Sequence, residues 1–254
     1  MIHYESDGPV VTVTIDRPDV ANAVDRPTAE ALADAFRRFD ADPELAVAVL
    51  TGAGGKFCAG ADLKAMQEPG APRASRVEPD GDGPLGSTRM LLGKPVIAAV
   101  EGNAAAGGLE LALWCDLRVA AEDAVFAVYS LRWGIPLMDG GTVRLARLIG
   151  QSHALDMILT GRGVRGDEAF RMGLANRLVA PGQALDAAVE LAREIAAKPQ
   201  AALRSDRLSS YQQWSMSLDE ALSNEYEHGM ATLRTGELFG GLERYSSGDW
   251  RAGR

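Results

Sequence analysis

Cys58-Ala59-Gly60-Ala61-Asp62-Leu63 and Asn103-Ala104-Ala105-Ala106-Gly107-Gly108-Leu109-Glu110 are two glycine-containing turns, each after an apolar strand-like run and before a helical pattern. A turn of this kind can aim unpaired backbone N–H groups at a common point, and two such donors make an oxyanion hole. One glycine turn alone would signal little, because glycine commonly serves only positive φ or close packing. Glu110 lies three residues after Gly107. If the helix begins near Gly107, the carboxylate returns to the same face, beside the amides.

Working outward, Gly8 to Asp16 alternates and is rich in β-branched residues, which predicts a strand. A helix is expected over about Pro27–Phe39, with Pro27 in its first turn and Leu32, Phe36 and Phe39 on one face. Ala46–Leu50 and Pro95–Val100 are continuous apolar runs, as expected of strands covered on both faces. Leu109–Trp114 reads as a short buried helix and Leu117–Ala120 as a returning strand. The succession describes repeated ββα or βαβ units. The stretch from about Gln67 to Ser87 has no apolar period, and a structureless run of this length inside a compact domain is usually functional or disordered. Beyond Gly150 helices are expected at Ala154–Leu159, Asp167–Met172, Ala184–Ala197, Gln200–Trp214 and Leu218–Leu233.

The 254 residues suffice for one large core or a core with a smaller appendage. A net charge of −9 argues against nucleic acid as partner, although a few local cations can still hold phosphates. No apolar run reaches membrane-spanning length and no secretory signal is visible, so a cytoplasmic protein without membrane partner is expected. Cys58 and Cys115 fall in segments read as buried, which favours small core residues over a disulfide or a nucleophile. His3, His153 and His228 are scattered, and no metal site is expected. Serine-hydrolase, Walker and dinucleotide motifs are absent from the sequence.

In collinear order, Ala21-Asn22-Ala23, Lys56 to Leu63, Lys94 to Gly102, Gly107 to Ala112, Cys115-Asp116 and Leu159-Thr160-Gly161 resemble the crotonase superfamily, the enoyl-CoA hydratase/isomerase family. The resemblance runs from about Val10 to about Pro199. It implies an α/β ClpP/crotonase-like fold of repeated ββα units, with a core over 1–198, a variable lid over about 67–88, and a helical trimerisation region over 199–254. A homotrimer or a dimer of trimers follows from the same likeness.

The resemblance also implies an acyl-CoA thioester substrate, with coenzyme A as part of that substrate and no permanently bound cofactor. Backbone amides of Ala61 and Gly107 would stabilise the thioester enolate, and Glu110 would act as general acid/base. An acidic residue in a first helical turn also favours the macrodipole with no further role. The Asp19 to Ala23 turn, with Val20, Ala21 and Ala23, and the segment Ala59, Ala61, Asp62 and Leu63, together with Gly107, would cradle the cofactor portion. Lys64 either meets a CoA phosphate or is a solvated surface lysine.

One departure stands out. Hydratases of this family carry a second glutamate in a Pro-Glu pair before a Gly and a Gly-Gly-Thr turn, whereas alignment on Phe126, Gly134 and Gly140-Gly141-Thr142 places Tyr129-Ser130 there. Asp139, directly before that turn, is either a compensating carboxylate facing the acyl group or an N-cap for a helix over Thr142–Ile149. Arg132 and Trp133 either line the pocket or pack and face solvent. Hydratase/isomerase chemistry is expected. Its rivals are isomerisation, decarboxylation or thioester hydrolysis on the same site, and a catalytically silent acyl-CoA-binding protein.

Overall fold

The computed structural model describes residues 1–67 and 70–247. In chain order the elements are β1 (Ile2–Asp7), β2 (Val10–Ile15), α1 (Arg26–Ala41), β3 (Val47–Gly52), β4 (Val96–Val100), β5 (Asn103–Ala105), α2 (Gly107–Trp114), β6 (Leu117–Ala121), β7 (Val125–Ala127), α3 (Gly141–Thr160), β8 (Gly163–Arg165), α4 (Gly166–Arg171), β9 (Arg177–Val179), α5 (Ala184–Ala196), α6 (Gln200–Gln212), α7 (Leu218–Arg234) and α8 (Glu237–Ser247). They fall into two compact units, Met1–Arg193 and Glu194–Arg254.

The first unit is built on a six-stranded sheet in the order β1-β2-β3-β4-β6-β9 and a three-stranded sheet in the order β5-β7-β8. Only the β1–β2 hairpin of the large sheet is antiparallel. The apolar runs of β3 and β4 occupy its middle and are buried along nearly their whole length, as strands covered on both faces must be. Helix α1 starts where Asp25 caps it, accepting the Thr28 N–H at 3.2 Å, with a proline in the first turn. It buries Leu32, Phe36 and Phe39, and Phe36 meets the Trp114 ring edge-on at 4.7 Å. Arg118 is fully buried, and its guanidinium donates to the carbonyls of Leu174, Ala112, Cys115 and Asp116.

Several expectations are refined. Helix α3 is continuous in span but broken at Gly150, where φ is +78°, so the two helices read from sequence are segments either side of that kink. Among its described residues the expected lid carries short 3-10 turns, at Ala65–Gln67 and Ser87–Arg89, and an isolated bridge between Gly83 and Gly86. Its return, residues 83–88, is buried. Glu68 and Pro69 of that stretch lie outside the described residues.

In the second unit α6 packs on α7, and Glu237 accepts the N–H groups of Ala201 and Ala202 at 3.1 Å, closing the start of α6. Ser217 and Glu220 form a capping box at the start of α7. Leu222, Tyr226, Phe239, Leu242 and Tyr245 are exposed on this unit. Among the described residues no helix is long and apolar enough to cross a membrane.

Helix α2 meets the Cys58 turn at Gly108, where a Cβ would lie 2.0 Å from the Cys58 carbonyl oxygen and 2.7 Å from its carbon. Neither backbone can give way cheaply. Gly108→Ala is therefore expected to cost about 3 kcal/mol or more, read as a fall in the thermal midpoint, while an unchanged melt would show the contact to be looser than described.

Candidate active site

The two turns come together through a short backbone ladder. Phe57 N–H donates to Glu101 O at 2.7 Å, Cys58 N–H to Asn103 O at 2.9 Å, and Ala105 N–H to Cys58 O at 3.0 Å. Gly60 has φ +94°, and a Cβ there would sit 2.8 Å from the Gly107 nitrogen and 3.0 Å from Ala105 O. Only glycine lets the turns touch this closely. Ala106, with φ 53° and ψ −121°, holds a strained conformation immediately before Gly107, the first residue of α2. Gly107 N–H stands among the orphan donors of a helix start. Ala61 N–H likewise has no protein acceptor among the described residues, whereas its neighbours Gly60 and Asp62 donate to Cys58 Sγ and Val24 O.

Glu110 is 2% exposed. Although it lies in the first turn of α2, its Oε1 accepts N–H groups from the start of α3, those of Asp139 and Gly141, both at 2.8 Å. It thus caps a neighbouring helix and not its own. Burial raises its pKa to about 7, with the charge of Asp139 adding to the rise and the Gly141, Asp139 and Met138 amides opposing it. A carboxyl poised near neutrality is suited to taking and returning a proton.

Asp139 is 4% exposed and does not cap α3, whose N-cap is Gly140 with no side-chain bond. The capping alternative is thereby excluded. Its Oδ1 instead accepts the Leu85 N–H at 3.0 Å and the Thr88 hydroxyl, fastening the lid return to the entry of α3. Arg144 completes the fastening, donating to Asp139 O at 2.8 Å and Thr88 O at 2.6 Å. Burial raises the Asp139 pKa against the Thr88 and Leu85 hydrogen bonds.

Glu110, Asp139, Ala61, Gly107 and Ser130 line one pocket of about 680 Å³ including its open mouth, walled by apolar side chains such as Leu63, Met66, Leu85 and Met138. Trp133 lines it too, while exposing most of its surface to solvent, and Arg132 stacks on the Tyr129 ring at 3.8 Å. Cys58 is fully buried with its pKa pushed up to about 12, so it is a packing residue and not a nucleophile. Among the described residues no cluster of His, Cys, Asp or Glu could hold a metal ion.

Of the residues expected to cradle the cofactor, Val20, Asp62 and Lys64 line a second groove together with Arg17 and Arg73, whereas Ala59, Ala61, Leu63 and Gly107 line the pocket of Glu110, and Ala21 and Ala23 line neither. Ala21 and Asn22 both have positive φ, and buried Asn22 holds the turn by donating to Ala53 O at 2.9 Å and Lys56 O at 2.6 Å. Ala59 N–H is taken by Ala21 O at 3.0 Å and Asp62 N–H by Val24 O at 2.9 Å, joining the Val20 to Ala23 turn to the Ala59 to Leu63 turn. The Asp62 carboxylate pairs with Arg17 at 2.9 Å, so it is committed within the protein. Sequence reasoning missed Arg17, Asp25 and Arg73. Arg73 donates twice to Asp25 Oδ2, at 2.8 and 2.6 Å, and Arg17 stands 3.4 Å from the same oxygen. Burial would raise the Asp25 pKa, but the Thr28 and Arg73 hydrogen bonds and the Arg17 charge outweigh it and hold the carboxyl below its ordinary value.

Compared with known proteins, the chain matches the family model described as enoyl-CoA hydratase/isomerase over residues 5–246. A carnitinyl-CoA dehydratase of Salmonella paratyphi A is 44% identical over 196 residues, covering 76% of this chain and 74% of that protein. An enoyl-CoA hydratase from Mycobacterium marinum superposes with a TM-score of 0.90 at 37% identity, covering 97% of this chain and 95% of the other. Another from Mycobacterium tuberculosis superposes with a TM-score of 0.91 at 36% identity and the same coverage.

Moving a carboxyl from 4.5 to about 7 costs the ionised native state on the order of 3 kcal/mol. Because the native pKa lies above the unfolded one, this stability is present below about pH 4.5 and lost as pH rises through about 7. Glu110→Gln keeps the acceptor oxygen but not the charge. It should match the parent near pH 4.5 and exceed it at pH 8, measured by denaturant unfolding; an equal difference at both pH values would contradict a raised Glu110 pKa.

Proposed function

The chain belongs to the enoyl-CoA hydratase/isomerase family, and we propose that its site adds water across the α,β double bond of an enoyl-CoA thioester, or removes it from a 3-hydroxyacyl-CoA, by way of an enolate. The observation that carries the proposal is a nearly fully buried Glu110 carboxyl with its pKa near 7, in an apolar pocket beside the paired Ala61 and Gly107 turns. The two N–H groups receive the thioester oxygen as negative charge develops on it. Each such donor is worth about 3 kcal/mol in comparable sites. Ionised Glu110 takes a proton from water as the oxygen attacks C3. Asp139, a buried carboxyl at the same pocket with its own pKa raised, is the second carboxylate and the source of the proton that C2 gains.

The cofactor portion of the substrate lies along the Val20, Ala21 and Ala23 turn and the Ala59 to Lys64 segment, where Lys64 supplies positive charge for its phosphates, the Arg17 and Arg73 charges being met by Asp25 and Asp62. The exposed apolar side chains of the second unit support assembly into a homotrimer or a dimer of trimers. The name of the Salmonella paratyphi A relative, carnitinyl-CoA dehydratase, supports water removal as the physiological direction.

With crotonyl-CoA, kcat/KM for hydration is expected to be bell-shaped in pH, rising as Glu110 becomes the base and falling as Asp139 loses the proton it gives to C2. Glu110→Gln should keep binding by calorimetry and lose about 10² or more in kcat. Asp139→Asn should lose a similar factor; an active Asp139→Asn leaves Glu110 working alone. Binding of crotonyl-CoA without any turnover would sink the hydratase assignment in favour of a silent acyl-CoA-binding protein.

A further inference from the structure

Ser130 is 6% exposed, its Oγ has no hydrogen-bond partner among the described residues, and it lines the pocket that holds Glu110 and Asp139. A buried hydroxyl left unbonded costs stability, and alanine would fill the same space without that cost. The position is fixed by the fold. β7 pairs in parallel with β5 so that Ala127 stands opposite Ala105, and Ala106 N–H donates to Ala127 O at 2.8 Å. The chain leaving β7 therefore delivers Ser130 to the same end of this sheet as the Ala106-Gly107 turn and the start of α2. The Ser130 backbone is tied down as well, its carbonyl accepting Ile135 N–H at 3.1 Å. Ser75 Oγ is also unpartnered at this pocket, but no strand relates it to the oxyanion turn.

Most of the pocket wall is apolar, so the natural partner for Ser130 is a polar atom that enters the pocket, from water or substrate. Beyond the thioester, whose oxygen is met by N–H donors, the polar atom common to both directions of the reaction is the oxygen that joins C3 in hydration and leaves it in dehydration. We propose that Ser130 Oγ binds this oxygen: it accepts one O–H of the attacking water, while Glu110 takes the other proton. The inference rests on the hydratase reading given above. The O–H donated to Ser130 is the one that remains as the 3-hydroxyl, and its oxygen forms the bond to C3 as the C2–C3 π pair moves into the enolate. The enolate then gains its C2 proton from the site's carboxyls, so hydration consumes one water and no further reactant. In dehydration the 3-hydroxyl donates to Ser130, accepts a proton from Glu110 and leaves as water.

Two reactions of the same protein separate this role from a structural one. Exchange of the C2 protons of butyryl-CoA in D2O needs the oxyanion donors and a carboxylate base, but involves no C3 oxygen. Ser130→Ala should melt no lower than the parent, exchange butyryl-CoA protons within about twofold of it, and lose about 10- to 100-fold in crotonyl-CoA hydration through poorer orientation of water. It should also lose the preference for binding 3-hydroxybutyryl-CoA over butyryl-CoA. Equal losses in exchange and hydration would overturn the proposal, as would hydration at the parental rate, the result expected if Ser130 served a polar group farther along another acyl chain. A parent protein that exchanges butyryl-CoA protons but never hydrates crotonyl-CoA would overturn the hydratase reading itself, and this inference with it.

Discussion

The pair of hydrogen bonds from Asp139 N–H and Gly141 N–H to one oxygen of Glu110 holds the site together. An ionised carboxyl buried in apolar surroundings is costly, and the amides at the start of α3 are the fixed dipoles that make it tolerable there. The bonds also close a ring of contacts. Glu110 grips Asp139, Asp139 grips Leu85 and Thr88, and the Leu85 side chain lies so close to Gly107 that a Cβ on that glycine would come within 2.8 Å of it. The group that handles protons, the donors that stabilise charge and the return of the lid are thus positioned by one another.

Capping by a distant carboxylate recurs. Glu101 accepts N–H groups of Gly182 and Ala184 at the start of α5, and Glu237 does the same for α6. This explains which boundaries the sequence conveys. The start of α1 was legible because a proline stands in its own first turn, at Pro27. The start of α3 was read to within one residue, but its cap was not, because the cap comes from residue 110 and the aspartate beside it, which suits the local rule, is occupied elsewhere. The three-residue strands β5, β7, β8 and β9 are too short to show a period, and β1 is a polar edge strand; each exists through its neighbours.

Within the site, the legible residues were those whose spacing along the chain is also their spacing in space. Gly107 and Glu110 share one helical turn, and Ala61 follows a glycine whose positive φ is required. Arg17 with Asp62, Thr88 with Asp139 and Arg144 with Thr88 stand 45, 51 and 56 positions apart, and no local pattern announces them. The identity of Ser130 was visible as a departure from the family, whereas its unbonded hydroxyl could be recognised only once the strands around it were placed.

The pocket wall has a divided origin. Leu63, Met66, Val77 and Pro84 come from a stretch without strands, while Glu110 and Gly107 sit on a helix packed into the core. Substitutions in the former change the shape offered to an acyl chain without disturbing any sheet ladder, whereas substitutions in the latter act on the reacting groups and the core around them. The acyl group accepted can therefore be retuned along this stretch while the oxyanion turns and Glu110 keep their places.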